Sequence, residues 1–378
     1  MKLSEEHRLI RDSVRRFTKN EIIPFAGQMD RDDFLKEDIF LKFGSLGILG
    51  ITISEEYGGA GGDLLSQVLI TEELAKGSGG IALSYVAHSN LCVHNLHTHG
   101  NEFQRKKYLP SLCTGDKVGA LGLTEPEAGS DAMGIQTKAV REGDIFRLNG
   151  TKTFITNAPI AETFIIYAKT SHNGESKNIT AFIAERSFTG FSTSEKFEKM
   201  GCKPSPTGEV ALDDCIVPTE NVLGEENDGV SVMMAGLDIE RVAVAAISLG
   251  IAEAAFEDSL KYSKIRKQFG QSICNFQLIQ AKLADMYTGI EASRLLVYDT
   301  AIRSDKEKKL RKESAAAVLF TAEMATKVCL EAIQIHGGYG YMLESAVNRY
   351  LRDAKLLEIG AGTAEIRRIL IAKELLKH

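Results

Sequence analysis

Tryptophan is absent from the chain, so wherever a flat apolar face is needed it falls to phenylalanine or tyrosine. Proline occurs seven times. Pro204 and Pro206 flank Ser205 and exclude a strand interior there, and Pro24 is expected to interrupt the first helix. The six cysteines, at 92, 113, 202, 215, 274 and 329, form no C-x-x-C pair. That spacing gives no support to a zinc site or a disulfide framework, and reduced thiols in a cytoplasm fit it best. No basic tract stands out and the net charge is −6, which argues against nucleic acid as a partner. The cluster Lys306 to Lys312 reads as a solvated helix connection. No long uncharged apolar run and no leader-like segment is evident, so no stable membrane insertion is expected. Internal repeats are absent as well.

What is present is an ordinary globular composition, 44% hydrophobic and 25% charged over 378 residues, enough for one large core or two to three smaller ones. Three textures follow one another. Residues 1–117 read as helices: Leu9, Ile10, Val14 and Phe17 share a face, with Ser4 as cap and Glu5 and Glu6 in the first turn. Further helical pattern covers 36–47 and 64–76. Between them Gly58 to Gly62 is a loop without the Lys-Ser/Thr of a phosphate loop. His88, His94, His97 and His99 lie in helical pattern near Cys92, and the reading preferred is packed or surface histidine rather than a metal site.

Residues 118–226 read as a β domain. Asp144 to Leu148 and Thr151 to Ile155 alternate around Asn149-Gly150, a hairpin signal. Strands are expected at Thr163 to Ala168, Ile179 to Ala184 and Glu209 to Leu212, with a turn at Asn173-Gly174. Residues 227–378 return to helical period, with helices at 238–264, 276–304, 313–336, 344–355 and 363–376 joined by short loops, hence an antiparallel bundle. The fold class is α+β: helical N-terminal domain, middle β domain, C-terminal helix bundle.

Within the third part, Gly236-Leu237-Asp238-Ile239-Glu240-Arg241 opens an apolar run in which Ile239, Val242, Ala243, Ala246, Ile247, Gly250 and Ile251 share one face. Glu240 falls near the expected helix start, beside that face. Three readings are open there: a solvated carboxylate, a partner for Arg241, or a base whose pKa is raised by poor solvation.

Three motifs then stand out together: Leu121 to Asp131 (LGLTEPEAGSD); Arg266 to Gln271 (RKQFGQ) with Phe276-Gln277; and Gln334 to Gly340 (QIHGGYG), followed by Arg352 to Lys355 and Gly360 to Arg368 (GAGTAEIRR). With them, over essentially its whole length, the chain resembles the acyl-CoA dehydrogenases. Leu83 to Cys92 (LSYVAHSNLC) and Gly236 to Arg241 resemble most the isovaleryl branch.

The resemblance implies FAD as cofactor, a homotetramer built as a dimer of dimers, and electron-transfer flavoprotein as electron acceptor. It implies that Gly122, Leu123, Thr124, Glu125, Gly129, Ser130, Asp131, Phe154, Ile155 and Thr156 wrap the flavin, with Phe154 where many relatives carry Trp. Arg266, Gln277, Gln334, Ile335, Gly337 and Gly338 would hold the pyrophosphate and adenine across a subunit interface, and Thr363 and Glu365 would close that site. Ser130, Asp238, Arg241, Gly360, Ala361 and Gly362 would meet the acyl-CoA. The family places its base either just before the Gly-Thr of the terminal motif or on the earlier helix. The first position is Ala361, which cannot act; the second is Glu240, which becomes the implied base. The implied reaction is α,β-dehydrogenation of a short branched acyl-CoA such as isovaleryl-CoA to the trans-2-enoyl-CoA, in the cytoplasm. Ser231, where close relatives have Tyr, and the segment Gly201 to Glu209 depart from the branch pattern and bear on the acyl group. Alternatives are a dehydrogenase of another short or medium acyl-CoA, an oxidase differing only in oxygen access, or a silent flavin and acyl-CoA binder.

Overall fold

The computed structural model describes residues 3–170, 178–307 and 310–377. Helix α1 (Glu5–Phe17) is capped by Ser4, whose hydroxyl accepts from the His7 N–H, with Glu5 and Glu6 at its positive end. Val14 is buried and Ile10 and Phe17 pack on the core, but Leu9 is 65% exposed, so only part of the expected face turns inward. Pro24 does not interrupt the run. A π-helical turn, Thr18–Ile22, leads directly into α2 (Ile23–Asp32), and Pro24 falls in its first turn, where a missing N–H leaves no gap. Helices α3 (Ile39–Ser45), α4 (Leu64–Gly77), α5 (Gly79–Val86), α6 (Asn95–His99) and α7 (Glu102–Thr114) complete this part.

The expected histidine cluster is dispersed into packing. Buried His88 receives the Gly119 N–H at 2.9 Å on Nδ1 and reaches Leu112 O at 3.0 Å, while His94 meets Thr52 and His97 meets Ser54. Among the described residues no group of His, Cys, Asp and Glu is arranged to hold a metal ion.

The middle sheet comprises β1 (Gly119–Gly122), β2 (Lys138–Glu142), β3 (Ile145–Thr156), β4 (Thr163–Lys169), β5 (Ile179–Glu185), β6 (Phe191–Thr193), β7 (Thr207–Pro218) and β8 (Val222–Leu223). Its order is β6-β7-β3-β2-β4-β5-β8, with β1 parallel to β4. The expected hairpin at Asn149-Gly150 is instead one continuous strand. Opposite Asn149 the extra residue is on β7, where Asp213 and Asp214 form a bulge: Asp214 has φ +50° and exchanges hydrogen bonds with the Asn149 amide, and Gly150 has φ +155°. The Asn-Gly pair stays within the strand because β3 is paired on both sides, with β2 and with β7, and the irregularity is taken up by the β7 bulge. The turn expected at Asn173-Gly174 lies outside the described residues.

Helix α8 runs from Gly229 to Ile265, beginning well before the expected 238, because Val232 and Met233 extend its buried side upstream. Glu240 therefore lies in the helix interior and is not a first-turn carboxylate. After the short hairpin β9 (Lys267–Gln268) and β10 (Gln271–Ser272) come α9 (Gln277–Ser304), α10 (Arg311–His336), α11 (Ala346–Leu357) and α12 (Ala364–Leu375). Helix α8 packs against α4, α9, α10 and α11. Gly250 lets α4 approach closely, since a Cβ there would sit 2.2 Å from Glu72 O. Of the basic cluster, Arg311 and Lys312 begin α10, and Lys308 and Lys309 lie outside the described residues.

Candidate active site

Glu240 is 9% exposed on the buried side of α8. Its neighbour Arg241 does not neutralise it by contact: Arg241 Nη1 donates to Asp238 Oδ1 at 2.6 Å, and Arg311 approaches the same carboxylate at 3.7 Å. Among the described residues the Glu240 carboxylate takes part in no hydrogen bond or salt bridge. Burial pushes its carboxyl up to about 7, against the opposing pull of Arg241 and then Arg367. Tyr167 on β4 feels the same charge: burial, and then Glu240, raise its phenol, and its hydroxyl is buried without a partner among the described residues. A carboxyl poised near neutrality, not spent on a structural bond, is suited to proton transfer.

This poise costs stability. The folded carboxyl titrates at about 7 against an ordinary 4.5. Stability from this group is thus fully present below 4.5 and lost as pH rises toward 7, by on the order of 3 kcal/mol. Glu240→Gln should therefore raise the melting temperature at pH 8 and change it little at pH 4.5. Equal shifts at both pH values would contradict this account.

Gly360, Ala361 and Gly362 form the turn between α11 and α12. Ala361 and Gly362 are left-handed, with φ +55° and +88°. A Cβ at Gly360 would meet only Leu356 O, at 3.6 Å, so this position borders open space. Thr363 caps α12, accepting from the Ile366 N–H.

Gly122 to Asp131 leave the end of β1 beside β3, and the Thr153 N–H donates to Thr124 O at 2.9 Å, which brings Phe154, Ile155 and Thr156 to the same edge. A second bulge, between Lys152 and Ile155, gives Phe154 φ +58° and turns its ring outward, 69% exposed. Ile155 is buried; Gly129, Ser130 and Asp131 are exposed. The Glu125 side chain points the other way. Its carboxylate takes Lys152 Nζ at 2.7 Å and the Thr137 hydroxyl at 2.5 Å. Burial raises this carboxyl, but Lys152 and the hydrogen bonds outweigh burial and hold it below its usual value. Burial draws Lys152 down to about 8. Glu125 shapes the turn from within, and its backbone N–H and C=O exchange hydrogen bonds with Ala128.

A cleft of about 500 Å³ lies between the end of α8 and the end of α10, lined by Tyr262, Arg266, Ile335, Gly337 and Gly338 among others. The Arg266 guanidinium is exposed, 5.8 Å from the Tyr339 ring centre. Gln277, Gln334, Thr363 and Glu365 do not line this cleft. A second cleft, about 410 Å³, is bordered by Ser231, Met234, Asp238, Arg311, Lys312 and Lys377. Tyr167, Arg311, Lys312 and Arg367 were not singled out from sequence. Arg311 and Lys312 sit in a charge cluster that looks solvated, and an Arg-Arg pair gives no sign that Arg367 alone is buried.

Comparison with known proteins matches three family models in chain order: acyl-CoA dehydrogenase N-terminal domain over residues 4–116, middle domain over 120–215 and C-terminal domain over 227–376. The mitochondrial isovaleryl-CoA dehydrogenase of Pongo abelii is 46% identical over 375 residues, covering 98% of this chain and 89% of its own. The butyryl-CoA dehydrogenase of Megasphaera elsdenii superposes with a TM-score of 0.97 at 41% identity, covering 100% of both chains. A chain in a structure described as an electron transferring flavoprotein of Acidaminococcus fermentans gives 0.98 at 41% identity, again over 100% of both.

Proposed function

This chain belongs to the acyl-CoA dehydrogenase family, an FAD-dependent oxidoreductase of acyl-CoA thioesters, and on that premise we propose that Glu240 is the base that starts the reaction. The observation that carries the assignment is a buried carboxyl pushed to about 7 with no hydrogen bond or salt bridge among the described residues, next to an arginine already engaged by Asp238. Removing a proton from the carbon next to a thioester needs such a group in a poorly solvated pocket. Enolate charge develops on the thioester oxygen, and the Ala361 N–H is the donor proposed for it. FAD, when bound, accepts the hydride from the adjacent carbon, leaving the trans-2-enoyl thioester.

The residues present fit that cofactor. The outward Phe154 ring supplies a flat apolar face, Thr124 and Thr156 supply hydroxyls at the same edge, and the exposed Arg266 guanidinium beside Gly337 and Gly338 suits a pyrophosphate. A Cβ added at either glycine meets nothing, so a ligand can approach the backbone. In our reading Arg266 and Gln277 reach the cofactor of a neighbouring subunit in a homotetramer. Arg266→Ala should then lower the FAD content of purified protein several-fold and loosen the assembly-dependent retention of the flavin. A monomeric variant that keeps FAD as tightly as the parent would count against it.

For substrate we infer a short branched acyl-CoA such as isovaleryl-CoA, oxidised in the cytoplasm with electron-transfer flavoprotein as acceptor. The open space beside Gly360, followed by Ala361, leaves room for a methyl branch near the reacting carbons. Apolar pockets discriminate by about 1–3 kcal/mol per methylene, so isovaleryl-CoA should be preferred over straight chains by roughly 10–200-fold in kcat/KM. Anaerobic bleaching of the yellow protein with a panel of acyl-CoAs tests this. Equal or better turnover of octanoyl-CoA would remove the branched-chain assignment while leaving the reaction class intact.

A further inference from the structure

Arg367, on α12, is 1% exposed. Its Nη2 donates to Leu357 O at 2.9 Å and to Gly360 O at 2.5 Å, the two carbonyls that lead into the Ala361 turn. Its Nε and Nη1 are buried and have no partner among the described residues. A buried guanidinium with unmet donors is costly, and an apolar side chain of similar volume would often serve stability better. The groups whose charge it feels are Arg241, Glu240, Glu358 and Glu323. Glu240 is faced in turn by Arg241 on α8, Arg367 on α12 and Tyr167 on β4. Of the two cations, Arg241 is held by Asp238 at 2.6 Å, which leaves Arg367 as the charge not spent on a carboxylate contact.

We propose that Arg367 is a positioning residue for proton abstraction: it clamps the turn that presents the Ala361 N–H, and its uncompensated charge favours the carboxylate form of Glu240. The two roles separate by chemistry. Ala361 is a non-glycine residue at φ +55°, a conformation that must be imposed from outside, and the two bonds of the single Nη2 group to Leu357 O and Gly360 O impose it. The charge acts through space on a group with no hydrogen bond of its own among the described residues, so removing it moves a titration without breaking a contact.

The inference rests on Glu240 being the base. The test is the pH dependence of anaerobic flavin reduction by isovaleryl-CoA in the assembled, FAD-loaded protein. The parent should lose rate on the acid side with a midpoint near 7. Arg367→Met and Arg367→Gln should move that midpoint up by about one pH unit, a roughly fivefold loss at pH 7 when each protein's rate is taken relative to its own plateau, and, lacking the grip as well, they should level off at high pH below the parental rate. Arg367→Lys keeps the charge and loses the two-carbonyl grip, so it should keep the parental midpoint with a lower plateau rate. An unmoved midpoint in the Met and Gln variants overturns the electrostatic role. A parental plateau in the Lys variant overturns the clamp. If the Met and Gln variants fail to hold FAD, the Lys variant decides alone: a shifted midpoint there overturns the proposal. Full activity in Glu240→Gln would instead remove the assignment of the base itself, a separate result.

Discussion

Glu240→Gln should retain fold, FAD and acyl-CoA binding and lose flavin reduction by about 10³–10⁴-fold or more. The amide is nearly isosteric, and among the described residues the Glu240 carboxylate takes part in no hydrogen bond or salt bridge that the substitution would break. Arg241 stays on Asp238 in either case. What disappears is the capacity to accept a proton at a carboxyl titrating near 7. Stopped-flow bleaching under anaerobic conditions reads the loss directly, and the absorbance of bound flavin reports that the site is still assembled. A variant that bleaches at the parental rate would place the base elsewhere. A silent binder makes the opposite prediction: parent and variant would be equally inert.

The second large effect concerns stability. Lys152→Met should cost about 3–5 kcal/mol, because it strands the Glu125 carboxylate inside the protein with its counter-ion gone. Lys152 is fully buried and Glu125 nearly so, and the ammonium also donates to Leu123 O at 3.2 Å. The double substitution Glu125→Gln with Lys152→Met should recover much of the loss, since no buried charge remains unpaired. The flavin should be retained less well in the single variant, as Leu123 and Thr124 belong to the turn that the pair holds against β3. Thermal unfolding of the FAD-loaded proteins checks both. A single-variant cost below about 1 kcal/mol would mean that water reaches Glu125 freely.

The helix, sheet, helix order and the fold class were legible in the chain because each texture has its own period, and the period is a local property. The conjunction of motifs that marks the family was equally legible, and it is what points to Glu240 as the proposed base. Other features depended on partners distant in sequence. Asn149-Gly150 stayed in a continuous strand because β2 and β7 were available to pair with it on both sides. Pro24 fell within a helix because a π turn preceded it. Helix α8 began early because Val232 and Met233 found a core on the sheet side of the bundle. Nothing local to Glu125 says that Lys152 will claim it, or that Asp238 rather than Glu240 will take Arg241. The sequence by itself determined which groups are present and in what periodic order. Only the tertiary structure decided their charge states and free valences, since desolvation and the choice of hydrogen-bond partner are set by residues that become neighbours on folding.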